Sequence, residues 1–235
     1  MALPPRPGDI SLSVESRPCP DVQAAVEIIV KGQMSSTTIA TLRGCIETAL
    51  AGRACILLLG LKDVAFLPSI TLSYLADLIR RLDRRGGAIG LVSPSQQVKI
   101  VVTALGLDTF FTSFVDFDAA RAYAKERSAR NDQQHRLVMV RGPIVGQVFL
   151  VDETPLIIGS TADAGIPLRL PRVALKHAEV RVVEGTCVVN DLGTTLGTQV
   201  GGMKASNTPL ANRATIRIGP DVELMYLGPG EPIER

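Results

Sequence analysis

The side chains able to do chemistry are few and scattered. There are two histidines, His135 and His177, and four cysteines, Cys19, Cys45, Cys55 and Cys187. A hydrolytic triad needs a serine, a histidine and a carboxylate in one geometry. No GxSxG, HExxH or GxxxxGK[ST] motif occurs to supply such a centre or a phosphate loop. No cysteines form a CxxC pair, and both histidines stand far from them, so zinc-ligand spacing is absent. Gly201-Gly202 falls in a hairpin-like stretch. The residues therefore predict a non-enzyme with no metal and no cofactor. One hydroxyl stands apart: Ser69, in Pro68-Ser69-Ile70-Thr71, where a long helix is expected to start. A helix N-terminus offers unpaired N–H groups and the positive end of a dipole. A phosphate placed there is tolerated locally and repels a docked partner. The alternative is that Ser69 serves as the helix N-cap, since serine is among the best caps.

The elements that must position these residues change character along the chain. In the first half, Ser11–Glu15 and Ala24–Val30 read as an antiparallel pair, with a turn at Arg17–Asp21 where Pro18 and Pro20 oppose a strand. Ser35 and Ser36 are expected to cap a helix with Ile39, Leu42, Ile46 and Ala49 on one face, closed at Ala51-Gly52. Cys55–Leu59 and Ala88–Val92 are short apolar runs that fit strands covered on both faces. Between them, Leu72, Leu75, Leu78, Ile79 and Leu82 form the stripe of the helix from Ser69. Arg80, Arg81, Arg84 and Arg85 crowd its end as a solvated cationic turn before Gly86-Gly87. A third helix over Gln96–Leu105 turns Val98, Val101, Val102 and Leu105 inward. A strand at Phe110–Phe117 and a charged helix at Asp118–Arg130 follow. Alternating elements of this kind build a layered α/β domain.

From Leu137 onward no helical stripe is found. Short β-rich runs recur at 137–140, 147–151, 156–158, 178–183, 186–190, 215–218 and 222–227, and Glu184-Gly185 marks a hairpin. That pattern predicts a sandwich or barrel. The expected organisation is a tail at 1–8, an α/β domain at 9–130, a polar linker at 131–136, a β-sandwich at 137–228 and a tail at 229–235.

Charge excludes some functions. Basic and acidic residues number 25 and 23; the first 132 residues carry 15 and 13 and the remainder 10 and 10. Neither half has the asymmetry of a nucleic-acid or membrane-surface binder. No apolar run approaches the ~20 residues of a membrane span. Cys45 and Cys55 sit among apolar neighbours and read as reduced core thiols, which fits a cytoplasmic location.

The order of elements in the first half carries a family likeness. Gly32 closes the second strand, Val64-Ala65-Phe66-Leu67 precedes the long helix, and Leu91-Val92-Ser93-Pro94 follows the next strand. Ala104-Leu105-Gly106-Leu107-Asp108-Thr109-Phe110-Phe111 comes after these. Together they resemble a STAS domain, the fold of bacterial anti-sigma-factor antagonists. In that family an Asp-Ser pair opens the long helix, and the serine is phosphorylated by an anti-sigma kinase. The resemblance puts Ser69 at the phosphoacceptor, with Pro68 in place of the Asp and Thr71 where Gly is usual. Ile70 and Thr71 then alter the face that a partner would meet.

The second half is similar to a forkhead-associated (FHA) domain, a β-sandwich that reads phosphothreonine peptides through loops at one end. The likeness rests on Leu156-Ile157-Ile158-Gly159-Ser160, Val173-Ala174-Leu175-Lys176-His177-Ala178, Asp191 to Thr198, Pro209-Leu210 and Ile216-Arg217-Ile218-Gly219. Gly159, His177 and Gly197 match residues that set loop geometry. The family's phosphate-holding Arg and Ser are replaced by Ser160 and Ala174, and its peptide-holding Asn by Leu196. An arginine carries most of the attraction for a phosphate, so ordinary phosphothreonine binding is expected to be weak or lost. Leu196 is expected instead to offer an unmodified partner an apolar contact.

Three functions follow from these resemblances. One is a regulatory adaptor that binds an anti-sigma-like kinase through the first domain and another protein through the second, with Ser69 as its switch. The other is a scaffold or assembly subunit that uses both folds as docking surfaces. A phosphopeptide reader with a rewired pocket is a third. Partners are proteins in each case, with no nucleic acid, and a homo-oligomer is compatible with all three.

Overall fold

The computed structural model describes residues 12–52 and 54–233. The expected tail at 1–8 and Ser11 lie outside them. The described residues form two compact units, one built from those up to 83 with 87–126, the other from 84–86 with 127–233.

The first unit is a mixed sheet in the order β1 (Leu12–Pro18), β2 (Ala25–Gly32), β3 (Ile56–Asp63), β4 (Ala88–Val92), β5 (Phe111–Phe114). Only β1–β2 is antiparallel; the other neighbours run parallel, each reached through a helix. These are α1 (Ile39–Ala51), α2 (Ser69–Asp83) and α3 (Gln96–Ala104), with α4 (Phe117–Asp132) after β5. Strand β3 is buried continuously from Ile56 to Leu61, so both of its faces are covered, as its unbroken apolar run predicts. Leu42, Ile46, Leu72, Leu75, Leu78 and Leu82 close the core from the helices.

Several expectations change. Strand β1 runs through Arg17 and Pro18, the residues read as a turn, and Pro18 pairs with Val26. As an edge strand, β1 tolerates a residue without an N–H. Helix α1 starts later than its serines suggest: Thr38 is its N-cap, and Ser35 braces the preceding turn, its Oγ accepting the Thr38 N–H at 3.2 Å. Leu105, expected to face inward, is 57% exposed, because α3 ends at Ala104 and the chain leaves the helical path at Gly106 (φ +66). The arginine cluster is not uniformly solvated. Arg81 is held by Glu47 through both Nη atoms at 2.7 and 2.9 Å, and Arg85 is buried where the chain turns at Gly86 (φ +65).

An ionic knot lies at the β1–β2 pair. Glu27 of β2 is fully buried, and its two oxygens take Arg17 Nε at 2.6 Å and Arg121 Nε at 2.5 Å. Both guanidiniums also lie over the Phe117 ring, at 5.5 and 5.8 Å. Burial by itself raises the Glu27 pKa, but hydrogen bonds from Arg121 and Arg17 outweigh it and hold the carboxyl below its ordinary value.

The second unit is a sandwich. One sheet has six strands in the order β13 (Met203–Lys204), β12 (Thr198–Val200), β15 (Thr215–Ile218), β16 (Val222–Leu227), β6 (His135–Arg141), β7 (Val148–Val151). The other has five: β14 (Thr208–Pro209), β11 (Thr186–Asp191), β10 (Ala178–Val183), β8 (Leu156–Gly159), β9 (Ile166–Pro167). All pairs are antiparallel except β8–β9. Alternate residues of both sheets, including Leu137, Met139, Ile158, Val180, Val189, Ile216 and Leu224, fill the space between them. The expected linker at 131–136 is mostly regular structure: α4 continues to Asp132, β6 starts at His135, and only residues 133 and 134 lie between. The polar texture misleads here because Arg136 is buried, its Nη atoms hydrogen-bonded to Asp132 Oδ1 and the Glu231 carbonyl.

Candidate functional site

Each unit presents one end worth considering. In the first it is the start of α2. The loop after β3 is anchored by buried Val64 and Leu67, which leaves Phe66 53% exposed between them. The Pro68 carbonyl accepts the Thr71 and Leu72 N–H groups at 2.9 and 3.2 Å. Pro68 is therefore the N-cap and Ser69 the first helical residue, so the capping role considered for Ser69 falls to its neighbour. Ser69 is exposed, and its hydroxyl has no hydrogen-bond partner among the described residues. Ile70 beside it is 43% exposed. Thr71 is not on this face. It is wholly buried, and its Oγ1 donates to Met34 Sδ at 3.3 Å. The expectation that Thr71 meets a partner is corrected: two residues into the helix, the 100° turn per residue carries it to the inner side.

Neighbouring loops are tied to this end. Ser95 Oγ donates to the Ala65 carbonyl at 3.2 Å while accepting the Val98 N–H to cap α3. Ser93, at φ +51, donates through Oγ to Val115 O at 2.7 Å. The α2 start is thus a fixed platform showing Phe66, Ser69 and Ile70.

In the second unit the loops after β8, β9 and β11 form one end, held from beneath by a hydrogen-bonded brace. Asp191, last in β11, accepts four bonds: Gly193 N at 3.0 Å and Thr194 N at 2.9 Å on Oδ1, and Thr194 Oγ1 and Thr198 Oγ1, each at 2.8 Å, on Oδ2. Burial raises the Asp191 pKa, and these bonds reverse the effect, leaving it below the usual carboxylate value. Thr194 Oγ1 also accepts the Gly197 N–H at 3.1 Å and lies 3.1 Å from His177 Nε2. His177 is completely buried, and its Nδ1 accepts the Ala174 N–H at 3.2 Å. Its ring proton is therefore assigned to Nε2, which points at Thr194 Oγ1 and, at 3.3 Å, the Gly197 carbonyl. His177 links the β9–β10 loop to the β11–β12 loop and has no route to solvent as a base.

The two glycines act differently. At Gly159 a Cβ would stand 2.0 Å from the Leu175 carbonyl oxygen, so only glycine lets the β9–β10 loop lie against β8. At Gly197 there is open space, but φ is +74, a conformation that favours glycine. Leu196 is half-buried rather than open: its side chain packs on the core and lies against Gly219. Sequence reasoning missed the leucines that do project. Leu175 is 68% exposed and Leu192 38%. It also missed Asp191, Thr194 and Thr198, although an Asp followed three residues later by Thr is a readable turn signal.

Among the described residues, no group of three or more His, Cys, Asp or Glu could hold a metal ion, and no helix is long and apolar enough to cross a membrane. The four cysteines are free thiols.

Comparison with known proteins agrees with the architecture. The chain carries a STAS domain, whose family model matches residues 20–120, and an FHA domain, matched over residues 156–219. It is 34% identical over 93 residues to the glycogen accumulation regulator GarA of Mycolicibacterium smegmatis, covering 40% of this chain and 59% of that protein. It is 33% identical over 93 residues to the oxoglutarate dehydrogenase inhibitor of Corynebacterium efficiens, covering 40% and 66%. Each match thus spans less than two thirds of the relative's length. The crystal structure of an anti-sigma factor antagonist from Mycobacterium paratuberculosis aligns with a TM-score of 0.44 at 23% identity, over 50% of this chain and 97% of that one.

Proposed function

We propose that this chain is a non-catalytic regulatory adaptor that docks proteins through both domains, with Ser69 as a phosphorylation switch on the first. The observation that carries the reading is the α2 start, where an unpartnered, exposed hydroxyl stands between exposed Phe66 and Ile70 on a platform fixed by its neighbouring loops. A phosphate on Ser69 would carry close to two negative charges into an apolar face, while the helix N-terminus tolerates it locally. Relatives named as a regulator and as an inhibitor support a regulatory rather than catalytic role. We place its action in the cytoplasm, with an anti-sigma-like kinase as the first-domain partner.

The test is incubation with such a kinase, phosphosite mapping by mass spectrometry, and comparison of Ser69→Ala with Ser69→Asp in partner binding. Modification at Ser69 and loss of binding in Ser69→Asp support the switch. A second reading, a constitutive scaffold, is favoured by Ser160 and Ala174 at the FHA loop positions where the family holds phosphate. It predicts that Ser69 stays unmodified and that Ser69→Asp binds as the parent does.

A further inference from the structure

The loop end of the FHA domain has a surface that phosphate recognition does not explain. Leu175 lies two residues before His177, whose carbonyl accepts the Leu192 N–H at 3.0 Å. The backbone at both leucines is held. The Leu175 carbonyl is pinned over Gly159 and accepts Thr161 Oγ1 at 3.3 Å, and Leu192 follows directly on the Asp191 brace. Two apolar side chains are thus presented outward by a rigid frame, with half-buried Leu196 connecting the same end to the core.

The charge on the β9–β10 segment has one sign. The β9–β10 segment carries three exposed cations, Arg169, Arg172 and Lys176, and no acidic residue. None of the three makes a salt bridge among the described residues. Arg172 is set at φ +70, in the loop itself. Across the loops 160–165, 168–177 and 192–197 the only acidic residue is Asp163, and the β15–β16 turn, which meets Leu196 at Gly219, adds exposed Asp221. Unpaired cations around an apolar centre complement a ligand that is apolar in the middle and acidic at its edges. A lone phosphothreonine lacks the arginine-centred grip it needs, since Ser160 and Ala174 supply no charge.

We infer that this end docks an unphosphorylated protein segment that carries an aliphatic side chain flanked by Asp or Glu. The leucines bury the aliphatic group, and Arg172 and Lys176 steer and hold the acids. The inference rests on the adaptor reading and names the partner chemistry of its second domain.

The test presents the full chain with two synthetic peptide libraries of nine residues, one with threonine and one with phosphothreonine at the centre, and all other positions randomised. The unphosphorylated library is expected to bind, with Leu, Ile or Val selected beside Asp or Glu. Affinity for a selected peptide should fall on the order of tenfold in Leu175→Ser, and by a similar factor in the Arg172→Glu/Lys176→Glu double variant. Raised salt should weaken binding in the parent more than in the double variant. Hydrogen exchange at the Thr194 and Gly197 amides checks that each variant keeps its brace. Binding only of phosphothreonine peptides overturns the inference but leaves the adaptor reading of this domain standing. Selection without acidic and aliphatic residues, or selection undisturbed by both variants, overturns the inference alone. No binding from either library overturns the inference and, with it, docking through this domain.

Discussion

Replacing Asp191 by Asn tests whether a charged brace fixes the FHA loop end. The asparagine is nearly isosteric, and its Oδ1 still reaches Gly193 N and Thr194 N. On the other side an NH2 replaces the oxygen that accepts Thr194 Oγ1 and Thr198 Oγ1 at 2.8 Å. Thr194 Oγ1 already accepts from Gly197 N and faces His177 Nε2, so its own proton loses its partner. Hydrogen bonds to a charged group contribute about 1.5–3 kcal/mol each, against about 1 kcal/mol for neutral ones. Four weakened bonds, offset in part by relief from burying a carboxylate, give an expected loss of about 2–3 kcal/mol. Hydrogen exchange of the full chain reads this locally, with faster exchange at Gly193, Thr194 and Gly197 and little change in the first domain. pH supplies a second readout. The folded pKa of Asp191 is depressed, so its contribution is full above the unfolded-state pKa and disappears as pH falls through the folded value. Parent and Asp191→Asn should therefore differ at neutral pH and converge in acid. Equal protection of the three amides in both proteins, or a stability gap that does not shrink in acid, would refute the brace.

Three further outcomes are expected. Glu27→Gln should destabilise the first domain by about 2–3 kcal/mol at neutral pH by weakening two charge-assisted bonds, and the gap to the parent should close as acid protonates Glu27, measured by urea denaturation across pH. Gly159→Ala should cost about 3 kcal/mol, because its methyl meets a backbone oxygen, whereas Gly197→Ala meets no atom and costs about 1–2 kcal/mol through its positive φ; equal melting temperatures for the pair would contradict the close-approach argument. Thr71→Val should lose only about 1 kcal/mol with the hydroxyl–thioether contact, while Thr71→Lys should unfold the first domain; a Thr71→Lys protein with parental circular dichroism and melting would return Thr71 to the surface.

Legibility in the sequence follows the length of the physical signal. Helix α2 and strand β4 lie where the sequence places them, because a stripe of four leucines and one isoleucine repeats the helical period over several turns and a short unbroken apolar run after Gly86-Gly87 fits a strand covered on both faces. Strands β9, β12, β13 and β14 escape notice at two or three residues each, too short to show alternation, and they form only because longer neighbours offer partners. The STAS resemblance puts Thr71 on a partner face and polar texture puts Arg136 in a linker, yet both are buried: Thr71 Oγ1 meets Met34 of a distant segment, and the Arg136 Nη atoms meet Asp132 and the Glu231 carbonyl while its Nε has no partner among the described residues. Gly159, His177 and Gly197 were legible as loop-setting positions through resemblance. The distinction between them, a steric demand at one glycine and a dihedral demand at the other, lies in the folded backbone and not in the residue types. Leu175 and Leu192 carried no periodic signal, and only their exposure singles them out.

The brace beneath the FHA loops separates the part that shapes this surface from the part that meets a ligand. Asp191, Thr194, Thr198 and His177 bond to one another and to loop backbone, while Leu175, Arg172 and Lys176 hang outside that lattice. A partner arriving there has little loop motion to arrest, so association should resemble rigid docking, with small ordering losses and with affinity set mainly by how slowly the complex comes apart. The same separation makes the rim interchangeable. Its outward side chains can be exchanged one at a time, and selectivity redirected, while the scaffold under them keeps its shape.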